Sequence, residues 1–190
     1  ALAYCRALNN VTIPNSVTYI GEYAFAGCEV LRNITIPDSV EFIGGYAFQG
    51  CSALINITIP NSVKTIAQGT FEKCNSLTSV VIPNSVTYIN HSAFEGCSNL
   101  TDIVIPNSVI YILNEAFQGC SNLTNVTLSN SITDISRYTF QNCKSLTNIT
   151  IPDNVKWIRQ SAFEGCISLT EITIPDKVSE IGSDVFKNCY

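Results

Sequence analysis

Nine cysteines stand at equal intervals along this chain: Cys5, Cys28, Cys51, Cys74, Cys97, Cys120, Cys143, Cys166 and Cys189. Each gap is 23 residues, with no insertion or deletion. Other positions keep the same beat. A leucine stands three residues after each of the first eight cysteines, from Leu8 to Leu169. A phenylalanine stands three residues before Cys28 and every later cysteine, from Phe25 to Phe186. A fixed period of roughly 20–29 residues marks a chain built from stacked copies of one unit. The units run 5–27, 28–50, 51–73, 74–96, 97–119, 120–142, 143–165 and 166–188, forming a single repeat domain.

One unit, read from Cys97, predicts the path of all. Leu100, Ile103 and Ile105 carry an L-x-x-L-x-L spacing, and Ile103 and Ile105 share one face of a strand. Asp102 and Val104 then face outward. Pro106-Asn107-Ser108 ends the strand, because proline lacks the ladder donor and favours a turn. Val109 and Ile112 mark a second, shorter extended piece. Ala116-Phe117 lie in a segment with room for one or two helical turns. Gly119 closes it with a left-handed backbone, a place that Asn142 and Asn188 also suit and Lys73 suits less well. Eight side chains per unit point inward, so only stacking can bury them. The expected fold is a β-rich, right-handed leucine-rich-repeat solenoid with parallel strand ladders, one main and one shorter, and short helical turns. At about 4.8 Å per coil, eight coils make a rod of roughly 40 Å. The end coils should expose core.

Composition narrows the function. The chain has 190 residues, of which 46% are hydrophobic and 13% charged, with a net charge of -5. The hydrophobic share excludes a disordered tail. The acidic balance argues against nucleic acid, which needs a basic face, and against an anionic membrane surface. No apolar run reaches the roughly 18 residues of a membrane span, so direct membrane insertion is not expected. No signal peptide is visible, and methionine is absent even at position 1. The chain reads as part of a longer array.

The unit Leu31-Arg32-Asn33-Ile34-Thr35-Ile36-Pro37-Asp38-Ser39-Val40-Glu41-Phe42-Ile43-Gly44-Gly45-Tyr46-Ala47-Phe48-Gln49-Gly50-Cys51 resembles the BspA-like leucine-rich repeat, a 23-residue class. The resemblance covers essentially the whole chain. It implies a cell-surface or secreted protein that adheres to host extracellular-matrix proteins or to neighbouring cells. The family's motif residues are structural, so it carries over no catalytic or binding residue. Ser129 departs from the pattern by replacing the turn proline.

Candidate chemistry is sparse. The cysteines read as buried free thiols: their number is odd, and stacked side chains leave in parallel directions, which suits neither a disulfide nor tetrahedral zinc. His91 reads as a solvated loop residue. No nucleophile, phosphate-loop or metal motif appears, so no enzyme activity, cofactor or metal is expected. The outward surfaces say more. One is the strand face, with Asn33, Thr35, Asn56, Thr58, Val81, Asp102 and Val104, where a Thr/Asn array is either a structural ladder or a binding surface. The other is an aromatic stripe just past the turn, formed by Tyr19, Phe42, Tyr88, Tyr111 and Trp157 and broken by Thr65 and Asp134. Outward aromatics either seal the core by stacking or bind proteins. Ile110 and Leu113 add an apolar cluster around the fifth unit. The expected partner is a protein, extracellular matrix included. The alternative is a structural spacer that associates end to end. Asn-x-Ser/Thr sequons recur, for instance at Asn33 and Asn56, because Asn and Thr flank the strand aliphatics.

Overall fold

The computed structural model describes residues 1–190. The chain winds through eight coils, and every strand pairing is parallel with a 23-residue register. On the first ladder Asn56–Thr58 pairs with Ser79–Val81, and Asp102–Val104 with Asn125–Thr127. A single bridge joins Asn148 to Glu171. The second ladder has only two residues per strand, as its shorter extended piece predicts. It nevertheless enters all eight coils, from Tyr19–Ile20 and Phe42–Ile43 to Trp157–Ile158 and Glu180–Ile181.

Neither ladder is continuous. The first is interrupted between Ser79–Val81 and Asp102–Val104. The second is interrupted between the second and third coils and again between the fifth and sixth. At the later break the Ser136 hydroxyl donates to the Ile112 carbonyl at 2.6 Å. One coil earlier the equivalent carbonyl, that of Ile89, accepts a backbone N–H from Leu113.

The expected helical turns are absent. The segment ending at each cysteine is a run of tight turns, and its hydrogen bonds explain why. In the first coil, the N–H groups of Ala24, Ala26 and Cys28 bond locally, to the carbonyls of Gly21, Tyr23 and Phe25. Those of Tyr23, Phe25 and Gly27 leave the segment for Gly45, Ala47 and Gln49 on the next coil, at 3.1, 2.8 and 2.7 Å. An α-helix would keep all of these bonds inside itself. The pattern repeats at every step to the end of the chain, as in Phe94 to Ala116 and Phe163 to Val185. Three unbroken files of hydrogen-bonded amides therefore run along this side.

Each turn run needs two left-handed residues, one more than the sequence signals. The glycine expected to close the segment does so, with φ of 71° at Gly119, and Asn142 and Asn188 adopt 61° there. Lys73 adopts the same conformation at 59°, although its side chain fits the position less well. Its ammonium reaches the Glu72 carboxylate at 3.0 Å. The second left-handed column is Tyr23, Tyr46, Gly69, Ser92, Glu115, Tyr138, Ser161 and Asp184. Each has a positive φ within its tight turn, where glycine is the unstrained choice, yet only Gly69 is one.

The inward positions form one core along the coils. Phe48, Phe71, Phe94, Phe117, Phe140 and Phe163 are fully buried, and their rings stack in a column with centroids 5.3–5.6 Å apart. The cysteines from Cys28 to Cys166 are buried free thiols, as expected, whereas Cys5, in the first end coil, is exposed and Cys189, at the other end, is half-buried. Each thiol from Cys51 onward donates to the phenylalanine carbonyl one coil back, as Cys97 does to Phe71 at 3.2 Å. Cysteine suits the site because it is small, apolar and still able to satisfy that carbonyl. At the other corner, Pro37 accepts the Val40 N–H, and the Ser39 hydroxyl donates to Val17 of the previous coil at 2.7 Å. Ser129, in the place of proline, donates to Val109 at 2.6 Å and so ties its turn to the coil before. The end coils do expose core: Val11, Ile13 and Val17 at one end and Ile172, Ile174 and Val178 at the other are half-buried.

Candidate interaction surface

Both outward surfaces read from the sequence exist. On the first ladder, residues alternate out, in, out, so Asn56 and Thr58 are exposed around buried Ile57. Asn33, Thr35, Val81, Asp102 and Val104 are exposed on the same face. Asn125 donates to the Asp102 carboxylate at 2.6 Å across the ladder. Hydrogen bonds from Thr101 and then Asn125 hold that carboxyl below its ordinary range. Val81 and Val104 interrupt this polar array and are 60% and 63% exposed. Where the ladder fails to form, between the first two coils, a shallow cleft of about 300 Å³ opens beside Asn10, Thr12, Asn33 and Thr35.

The aromatic stripe splits into pieces. Tyr19 and Phe42 stack with centroids 5.1 Å apart, and Tyr88 and Tyr111 stack at 4.9 Å. All four are exposed, as is Ile110 beside them. Leu113, expected in the same cluster, is half-buried. Trp157 also differs from expectation. It is half-buried, because the Arg159 guanidinium lies 5.2 Å from its ring centre and Lys156 flanks it at 5.9 Å. Arg159 also reaches back to Asp134 at 2.9 Å and forward to Glu180 at 3.4 Å. The charged residues that break the stripe in sequence thus belong to one ion-pair cluster around its tryptophan.

Sequence reading missed one pair. Tyr23 and Tyr46 stack at 5.0 Å next to the Tyr19–Phe42 end of the stripe. Two tyrosines on consecutive beats were the available signal. The Tyr46 ring lies against the backbone of Gly69, where a Cβ would come within 2.3 Å of it. Burial, then Tyr23, Glu72 and Glu95, raise the Tyr46 phenol above its ordinary value. His91 is half-buried rather than solvated, and its carbonyl accepts the Gly69 N–H at 2.9 Å. No group of three or more His, Cys, Asp or Glu side chains is placed to hold a metal ion. No helix is long and apolar enough to cross a membrane.

Coils of 23 residues with parallel strands, an inward leucine at each corner and a phenylalanine column define a leucine-rich-repeat solenoid. The family described as "BspA type Leucine rich repeat region (6 copies)" matches residues 1–109 and again 87–190. The chain belongs to that family. Its fold is similar to that of a leucine-rich repeat protein from Bacteroides ovatus, with 38% identity and a TM-score of 0.85 over 87% of this chain. The chain spans 43% of that protein's length. A T. pallidum leucine-rich repeat protein is 32% identical with a TM-score of 0.64, over 92% of this chain and 71% of its own. The pneumococcal vaccine antigen PcpA shares the fold at 18% identity and a TM-score of 0.59, over 93% of this chain and 59% of its own. No curated protein matches the chain.

Proposed function

We propose that this solenoid segment is a non-catalytic recognition module of a cell-surface or secreted protein, binding proteins of a host or neighbouring cell. One observation carries the reading. Five exposed apolar side chains gather on the fourth and fifth coils, Val81, Val104, Tyr88, Ile110 and Tyr111, beside a second group, Tyr19, Tyr23, Val30 and Phe42, on the first two. They stand on a scaffold whose inward residues hardly vary, while the equivalents of Val81, Val104 and Ile110 on other coils are polar. Stacked tyrosines supply large, stiff contact area at low entropic cost, and aromatic side chains dominate protein-binding hot spots. Membership of a repeat family built for extended surfaces supports the same reading.

The test is surface binding of the purified chain to a panel of extracellular-matrix proteins and glycans, beside a Tyr88→Ser/Tyr111→Ser double variant. Saturable binding to a protein, weakened roughly a hundredfold in the variant, is the expected outcome for two lost hot-spot rings. Binding retained in the variant moves the working surface to the Thr/Asn strand face. Binding by neither chain overturns the reading and favours a spacer.

A further inference from the structure

The aromatic stripe has two notches, and at one of them the residue that replaces the ring is already engaged by the molecule's own side chains. Counting along the second ladder, the stripe runs Tyr19, Phe42, Thr65, Tyr88, Tyr111, Asp134, Trp157, Glu180. Thr65 and Asp134 each stand between flanking rings on the coils before and after. The two breaks in the second ladder fall at the same two places, just before Thr65 and just before Asp134. Thr65 and Asp134 thus each open a ladder segment, paired forward with Tyr88 and Trp157 and unpaired toward the ring before. At the second notch the Arg159 guanidinium is stacked on Trp157 and bonded to Asp134. The guanidinium also reaches Glu180, so it lies beside Trp157 and neutralises the carboxylate that replaces the missing ring.

The first notch has the same frame with no such residue. Asn90, the counterpart of Arg159 one coil after Thr65, turns its amide oxygen to the His91 N–H at 2.8 Å. Phe42 and Tyr88, the two walls, are each 42% exposed. They stand two coil steps apart, about 10 Å at the usual strand spacing. That is the room one ring takes in this protein, whose phenylalanines stack at 5.3–5.6 Å on either side of each other. The floor differs in charge. Asp134 attracts a cation, whereas Thr65 is neutral and adjoins Lys64, which disfavours a guanidinium.

We propose that the Thr65 notch seats one aromatic side chain of a protein partner, completing the stack between Phe42 and Tyr88. This rests on the recognition reading and names the chemistry of the residue that it would capture. The probe is N-acetyl-tryptophanamide, titrated against the whole chain while the Phe42 and Tyr88 ring resonances are followed by NMR. N-acetyl-argininamide and a methyl glucoside serve as comparisons. Saturable shifts of both rings by the indole alone are expected. Thr65→Phe should fill the notch, abolish those shifts and raise the melting temperature, while Thr65→Ala should keep them. Tyr88→Ser removes one wall and should weaken the probe roughly tenfold, which gives an independent route if Thr65→Phe misfolds. Indole binding undisturbed by Thr65→Phe, or the glucoside or the arginine derivative binding in its place, overturns the proposal. The matrix-protein panel separates the two readings. A protein that binds Thr65→Phe fully but loses Tyr88→Ser/Tyr111→Ser leaves recognition standing and the notch refuted. No matrix protein bound, with the indole still captured by the notch, refutes that recognition reading alone.

Discussion

The two sides of the solenoid hold their coils together differently. On the phenylalanine side, the same three backbone bonds recur at every step, the rings stack without a gap, and a thiol ties each coil to the one before. On the strand side, both ladders are interrupted and side chains such as Ser136 stand in for missing backbone bonds. Variation follows the same division. The phenylalanine and cysteine positions are constant through the inner coils, while the outward stripe passes from tyrosine to threonine, aspartate and tryptophan. A continuous spine lets the opposite face change residue by residue without loss of the fold. That is the physical basis on which a repeat can diversify a surface.

The largest expected effect falls on the spine and comes from pH. Burial pushes the Cys51, Cys120 and Cys166 thiols up to about 12 and also raises Cys74, Cys97 and Cys143 well above their ordinary value. The folded thiols therefore keep their protons to a higher pH than unfolded ones, which ionise near 9. Their contribution is complete below about 9 and is lost as pH climbs toward 12. Each buried thiol should cost roughly 1 kcal/mol per pH unit in that window. Urea titrations at pH 8 and pH 10.5 should show a collapse of stability too steep for surface groups. A flat profile would mean that the thiols are not buried as described.

Next in size is the contrast between an inward and an outward ring. Phe94→Ala should cost about 3–5 kcal/mol, since it opens a cavity in the middle of a closed column. Tyr88→Ser, at an exposed end of a two-ring stack, should cost no more than about 1 kcal/mol. Equal losses in denaturant titrations would erase the distinction between spine and surface. The smallest effect has the opposite sign. Glu115 sits at φ 64° in the second left-handed column, where Gly69 shows the unstrained choice. Glu115→Gly should raise stability by about 1 kcal/mol, the left-handed strain that it removes, less a surface bond from Ser92. Calorimetry that showed destabilisation would place the strain elsewhere.

The core was legible because its positions hardly vary. Phe, Cys and Leu at fixed intervals leave one inward solution, and the Gly119 column carries glycine or asparagine often enough to reveal a left-handed turn. The Tyr23 column was not legible, because tyrosine, serine, glutamate and aspartate give no sign of a positive φ, and Gly69 alone cannot establish a pattern. The helix expectation failed for a related reason. A short apolar segment ending in glycine looks the same whether its amides bond inward or to the next coil, and only the stack decides that. Among the candidate surface residues, exposure of the tyrosines followed from their place between inward Val and Ile. The cover over Trp157 did not, since the link from Arg159 to Asp134 spans 25 residues and one coil.

The amide files on the phenylalanine side have a direction. Each N–H there points toward the following coil, as Phe94 does toward Ala116, whereas N–H groups at the second-ladder corner point toward the preceding one, as Leu113 does toward Ile89. Aligned peptide dipoles add, as they do along an α-helix, where they leave about half a charge at each end. Here the two sides oppose one another. Coils can therefore be added to such an array with less accumulation of charge at its ends than if both sides pointed the same way, so its electrostatics set a weaker limit on its length.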